Sequence, residues 1–298
     1  MDMNPVIVIQ HQNDFSKFIN ELQSSAHVSI DTESNSFYAY YNRICLIQVS
    51  TENQDYVIDP LAVDNIGTFG EILADERIEK IFHAAPNDIA GLKRDFKFTV
   101  RNIFDTSIAA KILGYQQLGL ARILHEHFGV NLNKKWQRYD WGRRPLREEQ
   151  IEYARYDTHF LLPLRHRQVA DLQEKQLWET ARAAFDRVCE QQFQEKPFQP
   201  GAFLHICGAR SLDPAGKRVL KALYVFRENE ARRRDRAPFR ILTNETLVRL
   251  ALQRPKNIQD FAKIKGIPRT FSTSRAASPL IELIRKNDGQ WEDKLIQQ

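Results

Sequence analysis

The sequence predicts an α/β fold, a mixed sheet with flanking helices, followed by a small all-α helical bundle. Three observations point there. In the first hundred residues short, β-branched apolar runs alternate with helical patterns, as expected of a sheet covered by helices. From about residue 105 onward helical patterns dominate. Between those helical stretches lies QQFQEKPFQPGA, rich in Gln, Pro and Gly and without a period. That break predicts a first domain over 1–190, a linker over 191–204 and a second domain over 205–298.

Taken in order, Val6–Ile9, Val28–Asp31, Ile44–Ser50 and Tyr56–Ile58 read as strands, and Ile81–His83 as a further short one. Pro86 suits the first turn of a helix running to about Phe96, because its missing N–H has no partner there in any case. Asp105 can cap the segment after it, and Leu118–Phe128 is amphipathic. Arg147–Trp178 reads as one or two long helices, bent at Pro163. In the second domain Pro214–Arg233, Thr243–Leu252, Ile258–Ile264 and Ser278–Lys286 carry helical periods, which fits a small bundle.

At 298 residues and 42% apolar content the chain can bury one large core and a second smaller one. No apolar run approaches the ~20 residues that span a bilayer, and the start MDMNPVIVIQ lacks the basic and long apolar stretches of a signal peptide, so a cytoplasmic protein without membrane contact is expected. Three widely spaced cysteines, Cys45, Cys189 and Cys207, fit neither a disulfide set nor a zinc site. The net charge of +5 is unevenly spread: residues 1–204 hold 23 Lys and Arg against 28 Asp and Glu, and residues 205–298 hold 20 against 10. A basic second domain can bind phosphate backbone through counterion release; a merely solvated basic surface is the alternative.

The chemistry rests on carboxylates. Asp31 and Glu33, in VSIDTES, are two apart at a strand end, so both leave one face of the sheet and repel unless a cation lies between them. Tyr153 and Asp157, in YARYDTHFLLPL, are four apart on a helix and stack on one face. That helix reads as buried, and a buried carboxylate needs a cation, either a metal or an arginine such as Arg155. Asp88, in IFHAAPNDIAGL, falls in the first turn of a helix, where it equally suits the helix dipole. His83 reads as a hydrogen-bonded core residue. Lys134, Lys135, Arg143 and Arg144 flank Trp136 and Trp141, a mixture of charge and stacking surface able to guide a single strand; loop packing explains the tryptophans as well.

In their order, DxE, then Asp at a strand-to-helix junction, then YxxxD on a late helix, these residues resemble the three exonuclease motifs of the DEDD superfamily. ICLIQVS, IFHAAPNDIAGL, NIFDTSIAAKIL and DWGRRPLREEQIEYARYDTHFLLPL extend the likeness to ribonuclease D and its relatives over most of residues 5–190. One branch of the superfamily has a histidine five residues before the last aspartate, the other a tyrosine four before it; here those positions hold Glu152 and Tyr153, so the tyrosine branch is indicated. The resemblance implies a ribonuclease H-like sheet and a 3′→5′ exoribonuclease using two divalent metal ions, Mg²⁺ or Mn²⁺. It assigns the metals to Asp31, Glu33, Asp88 and Asp157, and the placing of the attacking water to Tyr153. It also implies single-stranded RNA 3′ ends as substrate, transfer RNA precursors among them. Apart from the resemblance, a monomer without an obligate protein partner is the expectation, on which the sequence is nearly silent. Residues 210–290, through ALYVFRENEARRRDRAPFRILTNETLVRLALQRP and FAKIKGI, resemble the HRDC module. Its implied role in nucleic-acid binding makes Arg232, Arg233, Arg234, Arg236 and Arg240 candidate backbone contacts. A DNA exonuclease and a non-catalytic nucleic-acid-binding protein are the two other readings.

Overall fold

The computed structural model describes residues 4–133, 135–191, 197–271 and 273–289. They form two compact units, one from residues 1–37 and 43–194 and the other from Tyr38–Asn42 with residues 195–298. The sequence places a linker at 191–204. Its positions 192–196 lie outside the described residues, and Pro200–His205 is a 3-10 turn of the second unit that buries Phe203.

The first unit holds a six-stranded sheet in the order β1-β4-β3-β2-β5-β6. Its elements run β1 (Ile7–Ile9), α1 (Gln12–Gln23), β2 (His27–Ser34), β3 (Ile44–Ser50), β4 (Asp55–Ile58), α2 (Gly67–Ala74), β5 (Glu79–Phe82), α3 (Pro86–Phe96), β6 (Ile103–Asp105), α4 (Thr106–Ile112), α5 (Leu120–Phe128), α6 (Glu148–His159), α7 (Leu161–Glu174) and α8 (Trp178–Glu190). β2 pairs antiparallel with β3 and parallel with β5, so the sheet is mixed as expected. Every residue of β3 is buried, which explains its near-continuous apolar sequence: helices cover both faces of a central strand.

Alternation on β2 and β3 divides the two faces. Val28, Ile30, Ile47 and Val49 join Phe15, Phe18 and Leu22 of α1 and Ile89 and Leu92 of α3 in the main core. On the opposite face Leu46 and Val57 pack with Ala154 of α6 and with Trp141. The long helical stretch breaks at Phe160, between α6 and α7, rather than at Pro163. Pro163 sits in the first turn of α7, where a proline removes no intrahelical hydrogen bond.

Two networks brace this frame. Asp105 caps α4 by accepting from Ser107 and Ile108 N–H, and it also accepts from Ala84 and Ala85 N–H at 3.0 and 2.8 Å. It thereby holds the turn between β5 and α3, where Ala84 adopts a left-handed φ of 62°. Arg155 of α6, buried, donates to Asp55 of β4 at 2.7 Å and to the Asn4 carbonyl at 2.7 Å, while His159 meets the same carboxylate at 2.9 Å. These partners keep the Asp55 carboxyl below its ordinary range against the opposing pull of burial.

The second unit consists of α9 (Pro214–Arg234), α10 (Pro238–Ile241), α11 (Asn244–Gln253), α12 (Ile258–Ala262) and α13 (Ser274–Asp288). Leu220, Leu223, Leu247, Leu250, Phe261 and Leu280 are among its core. Asp213, Thr243, Asn257 and Thr273 cap α9, α11, α12 and α13 through their side chains. Tyr38–Asn42, assigned by sequence to the first domain, belongs here: Asp235 accepts from the N–H groups of Tyr40 and Tyr41, and Ala237 N–H donates to the Tyr38 carbonyl at 3.0 Å. No helix among the described residues is long and apolar enough to cross a membrane.

Candidate active site

The open end of β2 places Asp31 and Glu33 on the α6 side of the sheet, and a bulge after Glu33 ends regular pairing with β3. From α6, Asp157 comes down onto them. One carboxylate oxygen from each of Asp31, Glu33 and Asp157 lies within 4.8 Å of the other two, all on half-buried residues. No arginine or lysine pairs with any of the three among the described residues. Arg155, the cation that might have neutralised Asp157, points instead to Asp55.

Asp88 stands in the first turn of α3 and is buried. Its Oδ1 accepts from the Thr32 hydroxyl and, at 3.0 Å, from the Thr32 N–H. Thr32 lies between the paired carboxylates of the DTE run and holds the fourth one. A strand threonine carries no distinguishing signal in sequence, so this partner was not anticipated.

The electrostatics are those of an anionic site in which no basic side chain pairs with Asp31, Glu33 or Asp157 among the described residues. Burial first, then the charges of Asp88, Asp157 and Glu33, raise Asp31 well above the carboxylate range. Glu33 is raised for the same reasons, with Asp157 the largest charge. Asp157 is pushed up to about 7 by burial and Asp88. Asp88 reaches about 7, burial outweighing the hydrogen bonds from Thr32 that lower it. Tyr153 is raised by burial and by Asp157, Glu33 and Asp31, so its phenol stays neutral across physiological pH. Three converging carboxylates, with Asp88 held nearby by Thr32, suit hard divalent cations, which take oxygen ligands.

Beside Tyr153 and Asp157 opens a cleft of about 370 Å³ bordered by Asn131, Leu132, Lys135, Trp136 and Tyr156. From its wall an aromatic chain runs inward: Trp136 on Tyr139 at 5.2 Å, Tyr139 on Trp141 at 5.5 Å, and Trp141 stacked on Tyr153 at 6.0 Å. Trp141 is 1% exposed and serves packing. Lys135 lies 4.6 Å from the Trp136 ring centre and pairs with Glu149 at 3.2 Å. Tyr156, three residues after Tyr153, shares that helix face and was not singled out from sequence.

The remaining basic candidates differ in availability. Lys134 lies outside the described residues. Arg143 is exposed and 3.3 Å from Asp140. Arg144 is turned inward: its Nε and Nη2 donate to Asp59, Nη2 also to the Cys45 carbonyl, and Nη1 to the carbonyls of Trp141 and Arg143. All five donors of a guanidinium are thus engaged, and Arg144 works as a tie between the 139–145 loop and the sheet. In the second unit Arg233 and Arg234 pair with Glu230, and Arg232 donates to the Tyr40 hydroxyl. Arg240 lies 3.7 Å from the Tyr38 ring centre, and Arg236 is exposed.

Comparison with known proteins places the chain in a family. Residues 6–173 match the 3′-5′ exonuclease family model and residues 216–276 the HRDC domain model. The chain is 30% identical over 271 residues to Protein RRP6-like 2 of Arabidopsis thaliana, across 87% of this chain and 31% of the relative. It is 31% identical over 259 residues to the Exosome complex component 10 homolog of Caenorhabditis elegans, across 85% and 30%. It therefore spans about a third of the length of these curated relatives. A variant of the catalytic core of RRP6 from Trypanosoma brucei superposes with a TM-score of 0.87 at 26% identity, over 96% of this chain and 81% of that one. Escherichia coli RNase D shares the fold, with a TM-score of 0.72 at 24% identity over 99% of this chain and 77% of that one. On the match over residues 6–173, the chain belongs to the 3′-5′ exonuclease family and carries an HRDC domain behind its exonuclease unit.

Proposed function

We propose that this chain is a metal-dependent exoribonuclease that removes nucleotides one at a time from the 3′ end of single-stranded RNA, releasing nucleoside 5′-monophosphates. The observation that carries the reading is the convergence of Asp31, Glu33 and Asp157 within 4.8 Å with no basic side chain paired to them among the described residues. Asp31, Glu33 and Asp157 would hold one divalent ion, Mg²⁺ or Mn²⁺, and Asp31 with Asp88 a second. When bound, such ions lower the pKa of water and neutralise charge on the leaving 3′ oxygen.

The residues of the chain supply the rest. Tyr153, neutral and braced by Trp141, can orient the attacking water through its hydroxyl but is no free base at pH 7. Trp136 and Tyr156 offer ring faces in the adjoining cleft, where bases of a single strand can stack, and Lys135 and Arg143 offer charge for its phosphates. The exposed arginines of the HRDC unit, Arg232, Arg233, Arg234, Arg236 and Arg240, add a basic surface for backbone. RNA processing or turnover, including maturation of transfer RNA precursors, is the setting this reading suits, in a cytoplasmic monomer.

The test compares 5′-labelled single-stranded RNA and DNA of one sequence, each with Mg²⁺ and with Mn²⁺. RNA shortened stepwise from its 3′ end, faster than DNA, is the expected result. Equal or faster digestion of DNA would reassign the substrate.

A further inference from the structure

Among the described residues, β3 carries a buried polar side chain that the site above does not use. Gln48 is 0% exposed, and neither its Oε1 nor its Nε2 has a hydrogen-bond partner. A primary amide held away from water with both ends unpaired is costly, and burial on this scale calls for a partner or a function.

Its position says which. Gln48 is the register partner of Asp31 in the antiparallel β2–β3 pair. Directly opposed residues in such a pair send their side chains to one face, with Cβ atoms roughly 4.5–5.5 Å apart. The flanking pairs identify that face: Ser50, two residues on, meets Thr158 of α6 at 2.7 Å, and Leu46 and Val57 pack against Ala154 of α6. Gln48 therefore lies beneath α6 beside the half-buried Asp31. That carboxylate receives no side-chain hydrogen bond among the described residues, whereas Asp88 is held by Thr32. At the Cβ spacing of directly opposed residues, a glutamine side chain is long enough to span to the facing carboxylate.

We infer that Gln48 is a positioning residue for Asp31: unpaired in the metal-free chain, its Nε2 turns to donate to one carboxylate oxygen when a cation is held and so fixes the direction in which the other oxygen faces that cation. This rests on the reading that Asp31, Glu33 and Asp157 bind a divalent ion. Groups that orient metal ligands from behind in this way typically change affinity by roughly 10–100-fold when removed.

The test measures Mn²⁺ binding, from the electron paramagnetic resonance signal of the free ion, and metal-free thermal unfolding. It uses the full chain and its Gln48→Met variant, which keeps the side-chain length and removes the amide. Mn²⁺ affinity is expected to fall roughly 10-fold or more, with the metal-free melting temperature unchanged or higher because an unpaired buried amide has gone. Affinity within twofold of the parent would overturn the inference. So would a lower melting temperature with unchanged affinity, which would mean that Gln48 serves only packing or pairs with the indole N–H of Trp141, also unpartnered. Gln48→Asn, which keeps the amide but shortens its reach, should weaken Mn²⁺ binding as well and replaces the methionine variant if that one does not fold. In an Asp31→Asn background the Gln48 change should add nothing further; an additive loss would contradict action through Asp31. If the parent chain binds no Mn²⁺, the metal reading itself fails, an outcome distinct from parent and variant binding alike.

Discussion

Each carboxylate of the site is destabilising without a cation, and that has measurable consequences residue by residue. Asp157→Asn removes one negative charge from a buried cluster whose members raise one another. We expect it to abolish RNA shortening while raising the metal-free melting temperature by roughly 2–4 °C, the equivalent of about 1 kcal/mol. Differential scanning fluorimetry in EDTA checks the second half, and a lower melting temperature would contradict the crowded-charge account. The pH dependence follows from the same groups. Asp88 and Asp157 titrate near 7 in the folded chain, against roughly 4 when unfolded. Between those values the folded, metal-free state holds more protons than the unfolded one, so these two groups make stability fall as pH rises through the window. A divalent ion displaces those protons, so the rise in melting temperature caused by Mn²⁺ should grow from pH 6 to pH 8. A flat or shrinking shift would count against them as ligands. Asp31, Glu33 and the Tyr153/Asp157 pair were legible in sequence because two apart on a strand and four apart on a helix each fix a shared face. Thr32 and Gln48 were not, since nothing local marks a threonine or glutamine whose partner lies on another element.

Among the elements, α6 bears the greatest demand, because it must hold Asp157 against repulsion from the carboxylates of β2 while keeping Tyr153 beside it. Arg155 and His159 on its other side clasp Asp55 of β4, and Arg155 is buried where the acidic residues are not neutralised by it. Removing one partner of a buried ion pair leaves the other uncompensated, at about 3–5 kcal/mol. Arg155→Met should therefore lower stability by an amount of that order, read from urea unfolding; a loss under about 1 kcal/mol would show that the clasp does not hold the helix. The sequence indicated one or two long helices here and placed the bend at Pro163 instead of Phe160, because a proline in a first turn looks the same as one in a helix interior until the preceding residue's backbone is known. Helices α1 and α2 and strand β6 were not anticipated. β6 is three residues long, too short for a period of two to show, and the two glycines in α2 lower its helical signal. Arg144 reads as one of a basic pair in sequence, yet its partners Asp59 and Cys45 lie 85 and 99 residues away.

For the whole chain, charge separates acidic and basic work: the carboxylate site lies in the net-negative segment 1–204, and residues 205–298 carry twice as many basic as acidic residues. That asymmetry was readable from composition, but how many arginines remain for RNA was not. Glu230 takes up Arg233 and Arg234, while Arg236 is exposed. RNA affinity should fall as salt rises, and Arg236→Glu should reduce the slope of log affinity against log salt by about 0.7 for each phosphate that Arg236 neutralises. An unchanged slope in fluorescence anisotropy would remove Arg236 from the binding surface. The central claim concerns what the intact chain does with a 3′ end. The measurement that tests it most directly is digestion of 5′-labelled single-stranded RNA by the full chain in Mn²⁺, in EDTA, and by Asp31→Asn in Mn²⁺. A ladder descending one nucleotide at a time from the 3′ end, present only in the first case, is the predicted result; no shortening in either Mn²⁺ or Mg²⁺, or equal shortening by the variant, would contradict it.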